Sequence, residues 1–255
     1  MKFGFVKTAV AVPLITVGNC HANAESIISA TDESVGAGAE IILFPELCVT
    51  SSTCGDLIGQ PFFIQQCENA VASIAASTAS HNAILVVGAP VCYRNSLYNC
   101  AIVLHNGRIA GIVAKSILSN RYGDNESRHF ASGSAIPYGS CTTFAGQETA
   151  IGTGLIFSTP GFTFGIEIGN EASAPLAPAT SLATAGAELI LNPSAIGETS
   201  GYNTALRQAI MAQSCRLKCG YLHANSGWGE STSKVSYSGY ACIAEYGSII
   251  ADAER

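Results

Sequence analysis

Two charged side chains directly follow apolar runs that are typical of buried strands. Glu46 follows the run IILF and Pro45, which ends it, and Lys115 follows the run IAGIVA. A carboxylate at the carboxyl end of a strand is well placed for proton transfer. An acid in such a place is more often a solvated loop residue or a helix cap, and a single lysine is usually a surface charge. Taken separately, neither residue predicts a function.

A third apolar run, TFGIEI over residues 163–168, ends in Gly169 and Asn170. Strand ends of this kind usually carry the chemistry of α/β proteins. Because glycine has no side chain, residue 169 supplies no nucleophile, acid or base at that strand end.

These residues need a frame of buried strands and helices, and the composition predicts one. The chain has 255 residues, of which 48% are hydrophobic and only 12% charged, as in layered α/β folds with fully buried strands. A formal net charge of −6 disfavours a nucleic-acid-binding protein, which needs a basic surface. Every apolar stretch is interrupted before it reaches the roughly 18 residues that span a bilayer, so we expect no membrane segment.

Apolar runs alternate with stretches of helical periodicity, which predicts one α/β domain with a mixed sheet, in layers. The predicted strands span residues 3–12, 40–44, 84–91, 99–105, 108–114, 162–168, 188–192, 220–224, 239–244 and 248–251. The predicted helices span about 23–37, 61–80, 175–186 and 203–218. Asn106–Gly107 predicts a hairpin turn, Tyr246–Gly247 predicts a second one, and residues 119–150 are predicted to form a long loop region.

The ten cysteines include no C-x-x-C pair and accompany no His cluster at ligand spacing, so we expect no metal site. A domain of this size needs no disulfide framework. We interpret the cysteines as small buried apolar residues of a protein in the reducing cytoplasm.

The N-terminus has two interpretations. A lysine, an apolar run and an Ala-x-Ala ending at Ala24 are typical of a secretory signal peptide. Lys7 lies inside the apolar run and Pro13 divides it, and residues 3–12 fit a buried first strand equally well.

Eight longer sequence strings are spread over nearly the whole chain. In order they are GFVKTAVAVP, GAEIILFPELCVTSSTCGDL, LVVGAPV, LYNCAIVLHNGRIAGIVAK, NESRHFASG, FTFGIEI, AGAELILNPSA and GWGESTSKVSYSGYACIAEYG. With these strings at these spacings, the chain resembles the nitrilase (carbon-nitrogen hydrolase) superfamily, most closely the N-terminal glutaminase domain of glutamine-dependent NAD synthetases.

The resemblance implies a nitrilase-type αββα sandwich of mixed sheets with a Glu, Lys and Cys catalytic trio. In such enzymes the cysteine attacks the side-chain amide of glutamine, a thioester forms, and water releases glutamate. Carried over by position, Glu46 is the base and Lys115 stabilises the tetrahedral oxyanion. Glu126, eleven residues after the lysine, corresponds to a second glutamate that positions the lysine and the amide.

The chain differs from the family pattern at the positions that contact the substrate in family members. Gly169 stands at the position of the cysteine nucleophile, and Asn170 replaces an acid that contacts the substrate. Arg121 replaces a tyrosine of the glutamine pocket and Ile196 replaces a serine, whereas Ser194 is retained. Because these changes cluster in the pocket while the framework strings survive, we predict that the domain keeps the fold and has lost the reaction.

The resemblance also predicts the organisation of the chain. Residues 1–255 read as a single glutaminase-like domain that is incomplete at its C-terminus, with no synthetase phosphate-loop string. The domain is therefore expected to need no cofactor, since ATP and deamido-NAD belong to the absent synthetase domain. Expected partners are a synthetase domain or subunit and further copies of the chain, while glutamine binding is in question. The alternatives are a non-catalytic scaffold or oligomerisation protein on the same fold and an amidase that uses water activated by Glu46.

Overall fold

The computed structural model describes residues 4–120 and 125–253. In this part of the chain it contains thirteen strands and four α-helices. The helices are α1 (Cys20–Gly36), α2 (Pro61–Ser77), α3 (Pro178–Thr184) and α4 (Tyr202–Leu217). The strands are β1 (Thr8–Val10), β2 (Ile41–Leu43), β3 (Ile84–Tyr93), β4 (Ser96–His105), β5 (Arg108–Ala114), β6 (Cys141–Phe144), β7 (Gln147–Gly152), β8 (Ile156–Ser158), β9 (Thr163–Ile166), β10 (Leu189–Ser194), β11 (Gly220–Asn225), β12 (Ala241–Glu245) and β13 (Ser248–Asp252).

Local sequence signals set the starts of the two longest helices. The side chain of Asn19 accepts a hydrogen bond from the amide of Ala22 and so caps α1. Pro61 begins α2, where its fixed φ suits the first helical turn and its missing N–H is no loss.

The strands form two mixed sheets. The first has the order β1-β2-β3-β4-β5-β7-β6, with β1, β2 and β3 parallel and the β3-β4-β5 meander antiparallel. The second has the order β13-β12-β11-β10-β9-β8, in which β9, β10 and β11 are parallel. Parallel neighbours bring their carboxyl ends to one edge of a sheet, which is where the candidate site residues follow β2, β9 and β10.

The two sheets pack face to face between two layers of helices. Alternation along β2 shows this arrangement: Ile41 and Leu43 belong to the core shared by the two sheets, whereas Ile42 and Phe44 pack in the core that includes α1 and α2. A third core lies between α3, α4 and the second sheet. The αββα sandwich expected from the sequence is confirmed.

The boundaries of several elements differ from the predictions. The region predicted as a loop over residues 119–150 contains β6 and most of β7, joined by a turn at Ala145 and Gly146 with φ of 49° and 71°. Because both strands are partly exposed and carry polar residues such as Thr143 and Glu148 at exposed positions, their apolar alternation is weak. The short strand β8 was not predicted. The strand predicted over residues 3–12 is reduced to β1, and residues 1–3 lie outside the described part of the chain.

Both predicted hairpins are confirmed, since β4 and β5 meet at Asn106–Gly107 and β12 and β13 meet at Tyr246–Gly247. None of the helices within residues 4–120 and 125–253 combines the length and the apolar character needed to cross a membrane.

Candidate active site

Three of the candidate residues form one buried charge cluster. The Lys115 Nζ atom donates to Glu46 Oε1 at 2.7 Å and to Glu126 Oε1 at 2.5 Å. Lys115 is 1% exposed and Glu46 is 3% exposed, so this ion pair is removed from water. Glu46 follows β2, Lys115 follows β5, and Glu126 begins a short 3₁₀ turn at Glu126–Arg128. The structure therefore brings together residues that are 80 positions apart in sequence.

Glu46 is held from two further directions. The amide of Asn99 on β4 donates to Glu46 Oε1 at 2.6 Å, and the backbone N–H of Ala195 donates to Oε2 at 2.9 Å. Sequence reasoning missed Asn99, because a buried asparagine inside an apolar strand shows its purpose only through its partner. Both carboxylate oxygens are occupied, which fixes the orientation of Glu46.

Contacts within the cluster shift the pKa values of Lys115 and Glu126. Burial opposes the charge of Lys115, but Glu46 and Glu126 together outweigh that effect and raise the pKa of the ammonium above its ordinary value. Burial and the neighbouring Glu46 raise the pKa of Glu126 to about 7, against the attraction of Lys115. At neutral pH the lysine is charged, while Glu126 can exchange a proton.

Gly169 lies beside Glu46 and Lys115. It follows β9 in the left-handed conformation, with φ +56°, which glycine adopts without strain. A β-carbon built at this position would meet Glu46 Oε2 more closely than real β-carbons do and would lie 2.9 Å from Lys115 Nζ. An acid and a cation thus lie beside a strand end at a residue that has no nucleophilic side chain.

A buried polar network supports the backbone beneath Gly169. Asn192 on β10 donates to the carbonyl oxygens of Glu167 and Gly169, at 2.9 and 3.2 Å. Its Oδ1 accepts from the hydroxyl of Ser194 at 2.9 Å and lies 2.7 Å from Nδ1 of His223. Ser194 is fully buried and contributes to this network.

The same network fixes the tautomer of His223. Because Asn192 Oδ1 can only accept, His223 Nδ1 is the donor, and Nε2 has no hydrogen-bond partner in the described part of the chain. Burial lowers the pKa of His223 to about 4, so the ring is neutral at pH 7. Neither Asn192 nor His223 was recognised from the sequence.

Glu171 joins the turn at Gly169 to the segment after Lys115. This 2% exposed carboxylate accepts from the backbone N–H of Ser116 at 2.6 Å, of Ile117 at 3.0 Å and of Ile168 at 2.6 Å. The sequence places Glu171 two residues after Gly169 without indicating these contacts.

A cavity of about 390 Å³ opens beside the cluster and includes Glu46 and Glu126 in its wall. The other lining residues are Leu47, Ser52, Thr53, Cys54, Gly55, Asp56, Ile58, Asn125, Arg128, His129, Phe130, Ala195, Ser233, Lys234, Val235 and Tyr237. Asn170, Ser194 and Ile196, which the resemblance assigned to the substrate pocket, are not part of this lining. The backbone N–H of Ile196 donates to Asn225 Oδ1 at 2.7 Å. Arg121 lies outside the described residues.

Glu230 joins two loops that border this cavity. Its carboxylate accepts hydrogen bonds from Ser51, Ser52 and Thr53, including the backbone N–H of Ser52 at 2.8 Å and of Thr53 at 3.1 Å. Ser51 has φ +79°, which is uncommon for residues other than glycine. The hydrogen bonds to Glu230 therefore also hold a strained backbone in place.

Cys54 is the one cysteine in the lining of this cavity. Burial, followed by the negative charge of Glu230, raises the pKa of Cys54 to about 12, so the thiol is neutral. All ten cysteines are free; seven are buried as expected, but Cys92, Cys141 and Cys215 are exposed.

Within the described residues, no three His, Cys, Asp or Glu side chains are grouped in a way that could hold a metal ion.

Comparisons with known proteins agree with this geometry. The carbon-nitrogen hydrolase family matches residues 9–255 of the chain. The glutamine-dependent NAD(+) synthetase of Mycobacterium tuberculosis H37Rv is 32% identical over 257 residues, which is 100% of this chain and 38% of that protein. The enzyme of the same name from Mycobacterium leprae is 30% identical, over 99% of this chain and 37% of that protein. The chain therefore spans under two fifths of the length of these relatives.

Solved structures show the same likeness. A glutamine-dependent NAD(+) synthetase from Cytophaga hutchinsonii superimposes with a TM-score of 0.83 at 26% identity, covering 97% of this chain and 40% of that one. An amidase from Nesterenkonia sp. superimposes with a TM-score of 0.76 at 16% identity, covering 97% and 86%, and so shares the fold. From the matched residues, the sandwich and the buried Glu46–Lys115 pair, we conclude that the chain belongs to the carbon-nitrogen hydrolase family of the nitrilase superfamily and resembles the glutaminase domain of glutamine-dependent NAD synthetases.

Proposed function

We propose that this chain is the glutaminase-type domain of a glutamine-dependent NAD synthetase and that it has lost amide hydrolysis. The observation that carries the proposal is that Glu46 and Lys115, with Glu126 hydrogen-bonded to the lysine, lie beside a glycine. Glu46, Lys115 and Glu126 are buried or partly buried and hydrogen-bonded to one another through the lysine, but Gly169 beside them has no nucleophilic side chain.

The chemistry of the cluster explains what is missing. Hydrolysis through a thioester requires a thiolate that attacks the amide carbon, an acid that protonates the leaving ammonia and a cation that stabilises the oxyanion. Glu46 and Lys115 could supply the second and third functions. Loss of a catalytic nucleophile costs on the order of 10⁶-fold in rate.

The first test measures ammonia release from glutamine by the purified chain, with Lys115→Met as the matched control. We expect the two proteins to give equally low release, indistinguishable from buffer. Release by the unaltered chain that disappears in Lys115→Met would overturn the proposal. Equal release from both proteins above buffer would identify a contaminating enzyme, which repurification removes before the comparison is repeated.

A second test measures how much glutamine hydrolysis the substitution Gly169→Cys restores. We expect Gly169→Cys to restore little hydrolysis, because the left-handed backbone disfavours a side chain and its β-carbon would crowd Glu46 Oε2. Hydrolysis in Gly169→Cys at the rate of an active glutaminase would show that the rest of the site is intact.

The same proposal assigns ATP and deamido-NAD to a synthetase domain or subunit and no cofactor to this domain. The length of the relatives supports such a partner, since they are more than twice as long as this chain. The buried, unpaired cysteines support a reducing cytoplasmic location.

An assembly role is the second candidate, favoured by large apolar side chains at the surface. Trp228 is 79% exposed and Leu14 is 65% exposed, and their segments are joined by a hydrogen bond from Ile15 N to the carbonyl of Trp228. Light scattering after size exclusion tests this role: a stable homo-oligomer that Trp228→Ser dissociates supports it, and a monomer contradicts it.

A further inference from the structure

Another cavity opens at the end of the sandwich opposite to the candidate active site. Its volume is about 750 Å³, and its wall includes Glu40 before β2, Ile84 at the start of β3 and Ala110 near the start of β5. We call it the distal cavity. Glu46 and Lys115 follow the same strands β2 and β5, and the five residues of extended chain from Ala110 to Lys115 span about 16 Å. No described residue lines both this cavity and the one beside Glu46.

Both sheets contribute apolar side chains to the wall of the distal cavity. Val103 of the first sheet and Phe164 of the second belong to the core that the two sheets share. The rings of Phe157 and Phe164 are stacked, with centroids 5.0 Å apart and an angle of 16° between their planes. The ring of Phe162 lies 6.1 Å from that of Phe164. A ligand that carries an aromatic ring can pack against such a surface in the arrangements that aromatic side chains themselves prefer.

The position of the Phe157 ring is set by its contact with β5. A β-carbon built on Gly111 would lie 2.8 Å from the Phe157 Cε1 atom, so the ring packs directly against the backbone at this glycine. Together with the contact to Phe164, this packing holds the ring between the two sheets. The aromatic wall is therefore formed before a ligand binds, which lowers the entropic cost of binding.

One hydrogen-bond donor in this wall, on His81, has no acceptor among the described residues. The Nδ1 atom of His81 accepts from the backbone N–H of Ala83 at 3.2 Å, so the ring proton is on Nε2. Nε2 is buried without a hydrogen-bond partner in this part of the chain. A donor that is removed from water without a partner is costly, and an acceptor on a bound molecule would remove that cost.

The charges of the wall disfavour ionic ligands. Among the described lining residues, Glu40 is the one acid and none is Lys or Arg. An anion in the distal cavity would therefore lie near a carboxylate with no cation to balance it. A cation would instead meet the N–H of His81, which is a donor. A neutral molecule with an acceptor avoids both costs.

We propose that the distal cavity binds a small neutral molecule that carries an aromatic ring and one carbonyl-type acceptor. The ring packs against Phe157 and Phe164, and the carbonyl oxygen accepts the hydrogen bond of His81 Nε2. The volume suits such a ligand, since small-molecule sites usually measure about 300–1,000 Å³. Binding involves no residue of the candidate active site, so it does not depend on whether the chain hydrolyses glutamine.

The experiment uses the full chain and the dye prodan (6-propionyl-2-dimethylaminonaphthalene). Prodan is neutral, has a naphthalene ring and a ketone, and emits at shorter wavelength in apolar surroundings. Titration should give a saturable shift to shorter wavelength. Ala110→Trp, which fills the cavity from an exposed strand position, should weaken binding by about 10-fold or more. Ala150→Trp is the matched control and should leave the affinity unchanged, since Ala150 is exposed on a strand of the same sheet outside this lining.

His81→Asn tests the hydrogen bond. The asparagine oxygen can still accept from the N–H of Ala83, but no donor remains at the position of Nε2. We expect prodan to bind this variant about 3- to 10-fold more weakly, whereas 2-dimethylaminonaphthalene, which lacks the ketone, should bind it as well as it binds the parent. The anion 6-dimethylamino-2-naphthoate should bind the parent more weakly than prodan does.

The proposal is overturned if prodan shows no saturable shift. Equal affinity in Ala110→Trp and Ala150→Trp would also overturn it, because the dye would then bind another apolar surface. An equal loss of both dyes in His81→Asn would contradict the assigned hydrogen bond. Hydrogen exchange of the unaltered chain with and without prodan needs no variant: protection at residues 81–84 and 156–164 supports the proposal, and protection confined to other segments contradicts it.

Discussion

Lys115 is a buried cation whose charge is balanced by two carboxylates. Its partners Glu46 and Glu126 come from different loops, so the ion cluster also ties those loops together. Removal of water strengthens the attraction within the cluster, but it makes the loss of one member costly because a charge is then left buried.

Replacement of the lysine tests this balance. We expect Lys115→Met to lower the free energy of unfolding by about 3–5 kcal/mol, because Glu46 remains buried without its cation. The control is Arg207→Met, which breaks the exposed Arg207–Asp252 pair and should cost less than about 1 kcal/mol. Urea unfolding at pH 7 measures both values. Equal losses in the two variants would contradict the assigned role of the cluster.

His223 makes stability depend on pH. Its pKa is lowered from about 6.5 to about 4 by burial, so below pH 6.5 the unfolded chain binds the proton that the folded chain excludes. Stability is therefore complete above pH 6.5 and falls as the pH drops towards 4, by up to about 3 kcal/mol.

Urea unfolding between pH 7 and pH 4 checks this expectation. His223→Gln should remove that part of the pH dependence, whereas His21→Gln, which alters an exposed ring in the ion pair with Glu25, should leave it unchanged. An unchanged slope in His223→Gln would show that other groups account for the acid sensitivity.

At the scale of elements, the site depends on close contact between the Glu46 loop and strand β3. A β-carbon on Gly88 would lie 2.6 Å from the carbonyl oxygen of Pro45 and 2.7 Å from the carbonyl carbon of Glu46. The backbone N–H of Val49 donates to the carbonyl of Gly88 at 3.1 Å. Only glycine lets the loop lie this near to the strand.

Gly88→Ala should therefore displace the loop and destabilise the protein by about 1–3 kcal/mol. Gly152→Ala is the matched control, since Gly152 is a strand glycine with open space where its β-carbon would lie. Thermal unfolding measures the loss, and hydrogen exchange at residues 46–51 reports on the loop. A loop that exchanges no faster in Gly88→Ala than in the control would contradict this explanation.

At the scale of the whole molecule, the two sheets share one core and should unfold together. Phe164 on β9 is 1% exposed, and its ring stacks on that of Phe157 with centroids 5.0 Å apart. Ile41, Leu43, Val86 and Val113 of the first sheet pack in the same core. Separation of the two sheets would expose the apolar side chains of this core to water.

We expect Phe164→Ala to lower the free energy of unfolding by about 3–5 kcal/mol in a single transition. Phe62→Ala, which removes a ring that is 76% exposed, should have little effect. Near- and far-ultraviolet circular dichroism during urea unfolding test the cooperativity. Two separated transitions would show that the layers are independent.

Part of the fold was predictable because its signals are local. Period-two and helical apolar patterns identified most strands and helices, and Asn106–Gly107 marked a hairpin directly. Strands β6 and β7 were missed because partly exposed strands need few apolar residues.

For the site, the sequence by itself determined the resemblance that places Glu46, Lys115 and Gly169 at the positions of the family's trio. It did so because those positions lie within strings whose order and spacing can be read along the chain. Only the tertiary structure decided that Lys115 shares hydrogen bonds with Glu46 and Glu126, that Glu46 and Lys115 lie beside Gly169, and that Asn99, Asn192 and Glu171 support this arrangement. The physical reason is that burial and hydrogen bonding depend on contacts between segments distant in sequence, which only the packing of the two sheets brings together.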